Sequence, residues 1–482
     1  MKLKINYKRK IMPGLAGLVP PMAGLVPPMA GLVLGILVTA SSAAGGTAGG
    51  LQRINEQGMT LDLSLQQTID YAKNNNVLLK TARERIDEAK GRRWQNDSDL
   101  LPHLSLGASQ GRVFWENFAA QGLSPYGFGV IGPFNSFDAR FQVTQRIFDM
   151  SAISKFQAAN VDVDIADFEE KLAQQQVVTA AVIAYLDVLR AQEQLRAVEE
   201  DVRLAQQLTS LAQHQLEVGV VTNLDVVRAQ TRLAGHKARE QEGIQGVNTA
   251  FLNLKRVTGL PLDSEIHLSD SLQFFDEKTL PVSDAIDAAI KDRFEMSIAD
   301  SKVKYEQYKL SQVNRERLPK IDAYGDYGLS GIEPDKSVHK AAQISVNVSM
   351  PIFEGGEIEG EIRQQRSLKN QAQTLRDDMQ TQVEEDVRLA LQTLTTTTQQ
   401  VKAAGEALRL SVQEVGLAKD QYANGVGNNI AVVDAQATLE NSRQSYVTAL
   451  VEYHMARVNY YSALGKTGSF HLSDTGVTPV SS

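Results

Sequence analysis

Three kinds of chemistry have a candidate in this chain. Gly107-Ala108-Ser109-Gln110-Gly111 has the spacing that exposes a nucleophilic serine on a sharp strand-to-helix turn. Arg112-Val113-Phe114-Trp115 carries on as strand, so the turn has no helix to enter and Ser109 is expected to be an ordinary strand residue. Gly127-Phe128-Gly129-Val130-Ile131-Gly132 has the glycine spacing of a dinucleotide cradle, but Pro133-Phe134-Asn135 follows. No helix is there to offer its N-terminal amides to a pyrophosphate. The histidines (His103, His214, His236, His267, His339, His454 and His471) show no metal-ligand spacing to one another. Cysteine is absent, which removes thiolate nucleophiles, thiolate metal sites, disulfides and a lipidated N-terminal cysteine. No Walker sequence is present. The expectation is a non-enzyme with no cofactor and no metal, driven by a partner if it needs energy. A net charge of −8 argues against nucleic acid as that partner.

What remains is a pair of carboxylates in a repeated setting. The run from Gly219 through Asn223, Leu224 and Asp225 to Gln230 returns as Gly425 through Asn429, Ile430 and Asp434 to Gln436. Taken singly, each aspartate is a solvated residue near a helix start, where the helix dipole favours a negative charge. The repetition directs attention to the elements that must hold them.

The whole chain is duplicated. Leu101-Pro102 opens an alternating stretch, as does Leu318-Pro319; Ile147-Phe148-Asp149 closes one, as does Ile352-Phe353-Glu354. The copies lie roughly 205 to 217 residues apart, far beyond the repeat of a solenoid. Phe134 to Leu260 and Ile352 to Thr478 contain no proline. Val182, Leu186 and Leu189, and Val387, Leu391 and Leu394, step by four and three, which is an apolar helical seam. A helix from about Met150 to Leu216 would be about 100 Å long. Each long helix breaks at a corresponding glycine, Gly219 or Gly425, and a second helix returns. Between the helices lie strands. Phe137, Ala139, Phe141, Val143 and Ile147 alternate with Asp138, Arg140, Gln142, Thr144 and Arg146; Ile344, Val346, Val348 and Met350 alternate with Ser345, Asn347 and Ser349. Their length and two-faced pattern are those of membrane-barrel strands.

The boundaries follow. Residues 1–44 read as a signal peptide, basic then apolar then small, cleaved near 40–44; Pro20-Pro21 and Pro27-Pro28 break a single spanning helix. Residues 45–260 form the first repeat: a helix, strands about 103–114 and 137–148, and long helices 150–217 and 223–258. A linker covers 261–281. The second repeat, 282–465, has strands about 320–330 and 341–352 and helices 354–423 and 429–464, and 466–482 is expected to be a disordered tail. Nothing after residue 50 reads as a transmembrane helix. The fold class is mostly α with a membrane β-barrel part. Four strands cannot close a barrel, and an open sheet edge cannot face lipid, so several chains must share one.

These features together resemble the TolC family of outer-membrane efflux proteins, over about Leu63 to Gly465. The resemblance is carried by the duplicated strand-pair and helix unit, the Leu-Pro and Ile-Phe signals, the two glycine runs, and the closing Tyr460-Tyr461-Ser462-Ala463-Leu464-Gly465. It implies a homotrimer with a β-barrel in outer-membrane lipid and a helical tunnel in the periplasm. It further implies a periplasmic adaptor and an inner-membrane transporter of RND or ABC type, serving efflux or type I secretion. The resemblance makes Val218 to Asp225 and Asn424 to Asp434 the closed periplasmic tip. It assigns Asp434 and Asp225 to the pore constriction and Tyr422 to a link with Asp225. Gly219, Val220, Asn223, Leu224, Gly425, Val426, Asn429 and Ile430 would contact the adaptor. The chain departs from the family at Ala431, where a second aspartate is usual, and at Gly427, where an arginine makes a second link. The competing class is a structural coiled-coil protein of the periplasm or cell surface without a pore.

Overall fold

The computed structural model describes residues 60–117, 130–219, 221–336, 338–424, 426 and 429–472. The expected signal peptide, Gly127 and Gly129 of the glycine motif, Val220, Gly425, Gly427 and residues 473–482 lie outside the described residues.

The first repeat runs β1 (Thr60–Leu63), α1 (Leu65–Asn75), α2 (Val77–Ser98), β2 (His103–Val113), the short β3 (Glu116–Asn117) and β4 (Val130–Ile131), β5 (Phe134–Phe148), α3 (Met150–Glu217) and α4 (Asn223–Thr258). The second runs β6 (Glu265–Leu268), α5 (Val282–Asp292), α6 (Phe294–Arg315), β7 (Lys320–Gly331), β8 (His339–Ser349), α7 (Glu357–Ala423) and α8 (Asn429–Ala463).

The sheet has the order β2-β5-β7-β8 and is antiparallel throughout. Its register sets like beside like. Leu104 pairs with Val143, Val143 with Gly325 and Gly325 with Ile344, while Ser105, Gln142, Asp326 and Gln343 line up on the other face. A side-chain period of two therefore sorts the whole sheet into one apolar and one polar face. Ser109 pairs with Asp138 inside this ladder, so the serine motif makes no nucleophile elbow. Gly328 is needed here, because a Cβ would lie 2.1 Å from the Ala139 carbonyl oxygen of the neighbouring strand.

Strand and helix ends have local causes. Phe134 pairs with Val113, which carries β5 three residues further back than the alternation at Phe137 indicates. β8 stops at Ser349, short of 352, because Pro351 has no N–H for the ladder. Gly355 and Gly356 take left-handed conformations, which delays α7 from 354 to Glu357. Asp149 starts α3 by accepting hydrogen bonds from the amides of Ser151 (2.9 Å) and Ala152 (3.0 Å). α3 is also apolar enough to cross a membrane by length and composition, contrary to the expectation that no such helix follows residue 50. Its apolar stretch is 56% buried within the fold, and Val177, Ala181, Val182, Tyr185, Leu186 and Leu189 belong to the core.

That core forms a belt around the midpoints of the long helices. The linker 261–281 is part of it: β6 pairs in parallel with β1, Thr60 opposite Glu265 through Leu63 opposite Leu268. Tyr185 donates to Asp270 Oδ2 (2.8 Å) and lies 3.1 Å from the Leu63 carbonyl, and the Leu65 amide also donates to Asp270. Burial pushes the Tyr185 phenol up, so it stays a donor. Arg457 is fully buried, with Nε 2.7 Å from Glu277 Oε2 and its guanidinium 4.1 Å from the Phe275 ring centre. The expected disordered tail is ordered at its start. Thr467–Ser469 forms a turn of 3-10 helix, and Phe470 and Leu472 are buried, Phe470 against Tyr461 and the Arg457 guanidinium.

Candidate functional site: the helix-hairpin tip

At the end away from the sheet, each hairpin turns. α3 closes with Val218 and then Gly219 at φ 77°, a conformation that glycine reaches without a Cβ penalty. α4 starts at Asn223. Asp225 reaches back and accepts from the Thr222 amide (3.1 Å) and hydroxyl (2.7 Å), with Arg228 3.9 Å away. This satisfies donors that a helix start otherwise leaves open. Asp225 is thus half-buried in the first turn, the ordinary setting of a helix-start aspartate.

The second turn is different. α8 has no acidic residue in its first turn. Asp434 lies further along, exposed, and forms no ion pair among the described residues; only its carbonyl is engaged, by Thr438 (3.0 Å). The dipole account therefore fits Asp225 and does not reach Asp434.

Tyr422 is buried near the end of α7, where the side chain of Gln215 on α3 lies 3.5 Å from its carbonyl. The expected hydrogen bond from Tyr422 to Asp225 is not made: the Tyr422 hydroxyl is buried without a hydrogen-bond partner among the described residues. Asp225 Oδ2 is turned toward Thr222, which supplies two donors at shorter chain separation. Burial raises the Tyr422 pKa first, and the charge of Asp225 raises it further, so the two groups are electrostatic neighbours. Around them the tip is apolar and open. Val218, Leu224, Val426 and Ile430 are all more than half exposed, with Val426 at 83%, and Asn223 is exposed beside them. Asn429 opens α8.

The sheet at the opposite end is also apolar on its outside. Leu104, Leu106, Tyr327, Val346 and Val348 are exposed, and Ile344 is 90% exposed. Both edge strands, β2 and β8, have one unpaired side. A half-open, two-faced sheet on paired long hairpins defines a class of protein: the subunit of a membrane channel continued by a helical duct. Residues 68–260 and 285–466 match the family model described as outer membrane efflux protein, and the chain belongs to that family. Its place is the outer membrane.

Among curated relatives, the chain is 23% identical over 416 residues to outer membrane protein TolC of Escherichia coli (strain K12), covering 83% of this chain and 82% of that one. It is 22% identical over 372 residues to the alkaline protease secretion protein AprF of Pseudomonas aeruginosa, covering 76% and 77%. Among solved structures, the CmeC outer membrane channel of Campylobacter jejuni shares the fold. The TM-score is 0.72 at 20% identity, covering 85% of this chain and 87% of that one.

Proposed function

We propose that this chain is the outer-membrane duct of a tripartite efflux or type I secretion system. Three copies share one barrel of twelve strands, four from each. The observation that carries this reading is the sheet: exposed apolar residues on one face, polar residues on the other, and an open edge on either side. In lipid such edges must be paired, and pairing β8 of one copy with β2 of the next satisfies both. The polar face then lines the pore and the apolar face meets lipid.

The helical hairpins continue the duct into the periplasm. The exposed tip, with Gly219, Leu224, Val426 and Ile430, docks a periplasmic adaptor that links it to an inner-membrane transporter. Asp434, repeated by symmetry, forms the constriction and favours cations there. Tyr422, buried against α3 with Asp225 as its electrostatic neighbour, packs the junction of the two hairpins, and that packing sets how firmly the tip closes. Substrate passes through a hydrated conduit and is not transformed.

The test is single-channel conductance of the purified mature protein in planar bilayers, beside its migration as a heat-resistant trimer in mild detergent. The expected result is a small, cation-preferring conductance that rises in Asp434→Ala. A protein that remains monomeric and fails to insert would overturn the reading.

A further inference from the structure

Between the belt and the tip, three helices meet around a cluster that the sequence does not announce. Asp201 of α3, His236 of α4 and Glu440 of α8 each bring a ligand atom within 4.8 Å of the others. Asp201 is 9% exposed and His236 is 7% exposed. The His236 ring lies beside two carboxylates, Asp201 on α3 and Glu440 on α8. An imidazole and two carboxylates converging from three separate helices is the donor arrangement of a cation site.

The surrounding charges define what could occupy it. Arg443 of α8 lies 2.7 Å from Asp201 Oδ1 and 3.3 Å from Glu200. Arg239 of α4 is paired with Glu440, and Arg232 of α4 also acts on the histidine. An imidazole nitrogen is among the commonest protein ligands of such ions.

We infer that Asp201, His236 and Glu440 form a binding site for a divalent transition cation of the zinc class. One imidazole and two carboxylates are a donor set such ions accept and three protein ligands leave a coordination position for water; to engage both carboxylates the ion would displace Arg443 from Asp201 and Arg239 from Glu440. Arg239 competes for Glu440, so the site is tuned to bind reversibly. Each ligand comes from a different helix, and occupancy pins the first hairpin (α3 and α4) to the returning helix of the second (α8). The ion would stiffen the duct just above its tip. The inference stands independently of the duct reading, because it concerns binding to the folded chain.

The test is titration of the purified full-length mature protein with Zn²⁺ by calorimetry and with Co²⁺ by visible absorption, together with thermal unfolding. Expected are one ion per chain, a Co²⁺ ligand-field band, and an unfolding temperature that rises with Zn²⁺. His236→Ala should weaken binding by about tenfold or more and abolish the band. Arg239→Gln should tighten binding, which a merely structural cluster would not do. If His236→Ala does not fold by circular dichroism, Glu440→Gln replaces it with the same expectation. Unchanged affinity and spectrum in a folded ligand variant, or no binding by the wild type at millimolar Zn²⁺, would overturn the assignment.

Discussion

The belt and the tip are built from the same helices and could hardly differ more. In the belt the largest buried charge is ion-paired, even though Arg457 Nη2 makes no hydrogen bond of its own among the described residues. Arg457 has Glu277, Phe275 and Phe470; Tyr461 donates to Glu277 (3.0 Å); the Leu280 amide donates to the Tyr460 hydroxyl (3.0 Å). At the tip, large apolar residues face outward and the buried Tyr422 hydroxyl has no hydrogen-bond partner among the described residues. The belt concentrates packing and paired charge; the tip buries a smaller set, Val226, Tyr422 and Val432 among them. Regions that dock or open are drawn from the least stabilised parts of a fold, and this division places such a part where the proposed duct must be joined and gated.

The largest effect that would sharpen the contrast is at Arg457. Arg457→Ala leaves Glu277 facing a buried space without its cation, and loss of one partner of a buried pair costs about 3–5 kcal/mol. Denaturant unfolding should show that loss, while adaptor binding by folded protein stays intact. A loss under about 1 kcal/mol would mean that the belt is not where the stability lies.

Next is a pH effect, also in the belt. Arg457 lies 3.2 Å from His454 Nδ1 and can only donate, so Nδ1 accepts and Nε2–H donates to the Gln273 carbonyl at 3.1 Å. Burial first, then the Arg457 charge, lowers the His454 pKa from 6.5 to about 3. The unfolded chain therefore binds a proton that the folded chain refuses. The contribution is fully present above pH 6.5 and is lost as pH falls from there toward about 3. The slope approaches about 1.4 kcal/mol per pH unit for one proton. Urea midpoints measured across that window should fall with acid, and His454→Gln should flatten the decline.

Asp225→Ala moves to the tip and to a smaller effect. It removes the acceptor for the Thr222 amide and hydroxyl, at a cost of about 1 kcal/mol, and it frays the start of α4. Hydrogen exchange should rise there and leave the belt unchanged. Equal exchange gains in both regions would break the comparison, because it would mean the two open together.

How much of this was legible in the sequence depends on the range of the signal. The duplicated hairpins were readable because proline-free runs, apolar steps of three and four, and glycines at Gly219 and Gly425 are local. The sheet was readable from alternation, though its ends depended on pairing, as with Phe134 opposite Val113. The belt was not readable. β1 pairs with β6 across some 205 residues, Thr60 with Glu265, and Phe470 packs on Arg457 and Tyr461, contacts with no periodic trace. At the tip, the positions of Asp225, Asp434 and Tyr422 followed from the repeat and the family likeness. What did not follow was that Thr222 would take Asp225 away from Tyr422. The cluster of Asp201, His236 and Glu440 escaped because its ligands are spread over three helices, so no spacing records them.

The smallest effect on stability is expected at Asp434, and there its smallness is the point. The side chain is exposed and in no ion pair among the described residues, so Asp434→Asn should leave the unfolding free energy within about 0.5 kcal/mol of wild type. If the carboxylate lines a constriction, the same change should lower the cation-to-anion permeability ratio several-fold, because charges brought together by symmetry act on ions in transit even where they stabilise nothing. Asp225→Asn is the matched control: a measurable loss of stability with a smaller change in selectivity. Reversal of the two outcomes would exchange the roles of the two turns, with the first hairpin at the pore axis and the second outside it. Selectivity unchanged in both would remove the aspartates from the pore and leave the apolar tip residues to form the closure.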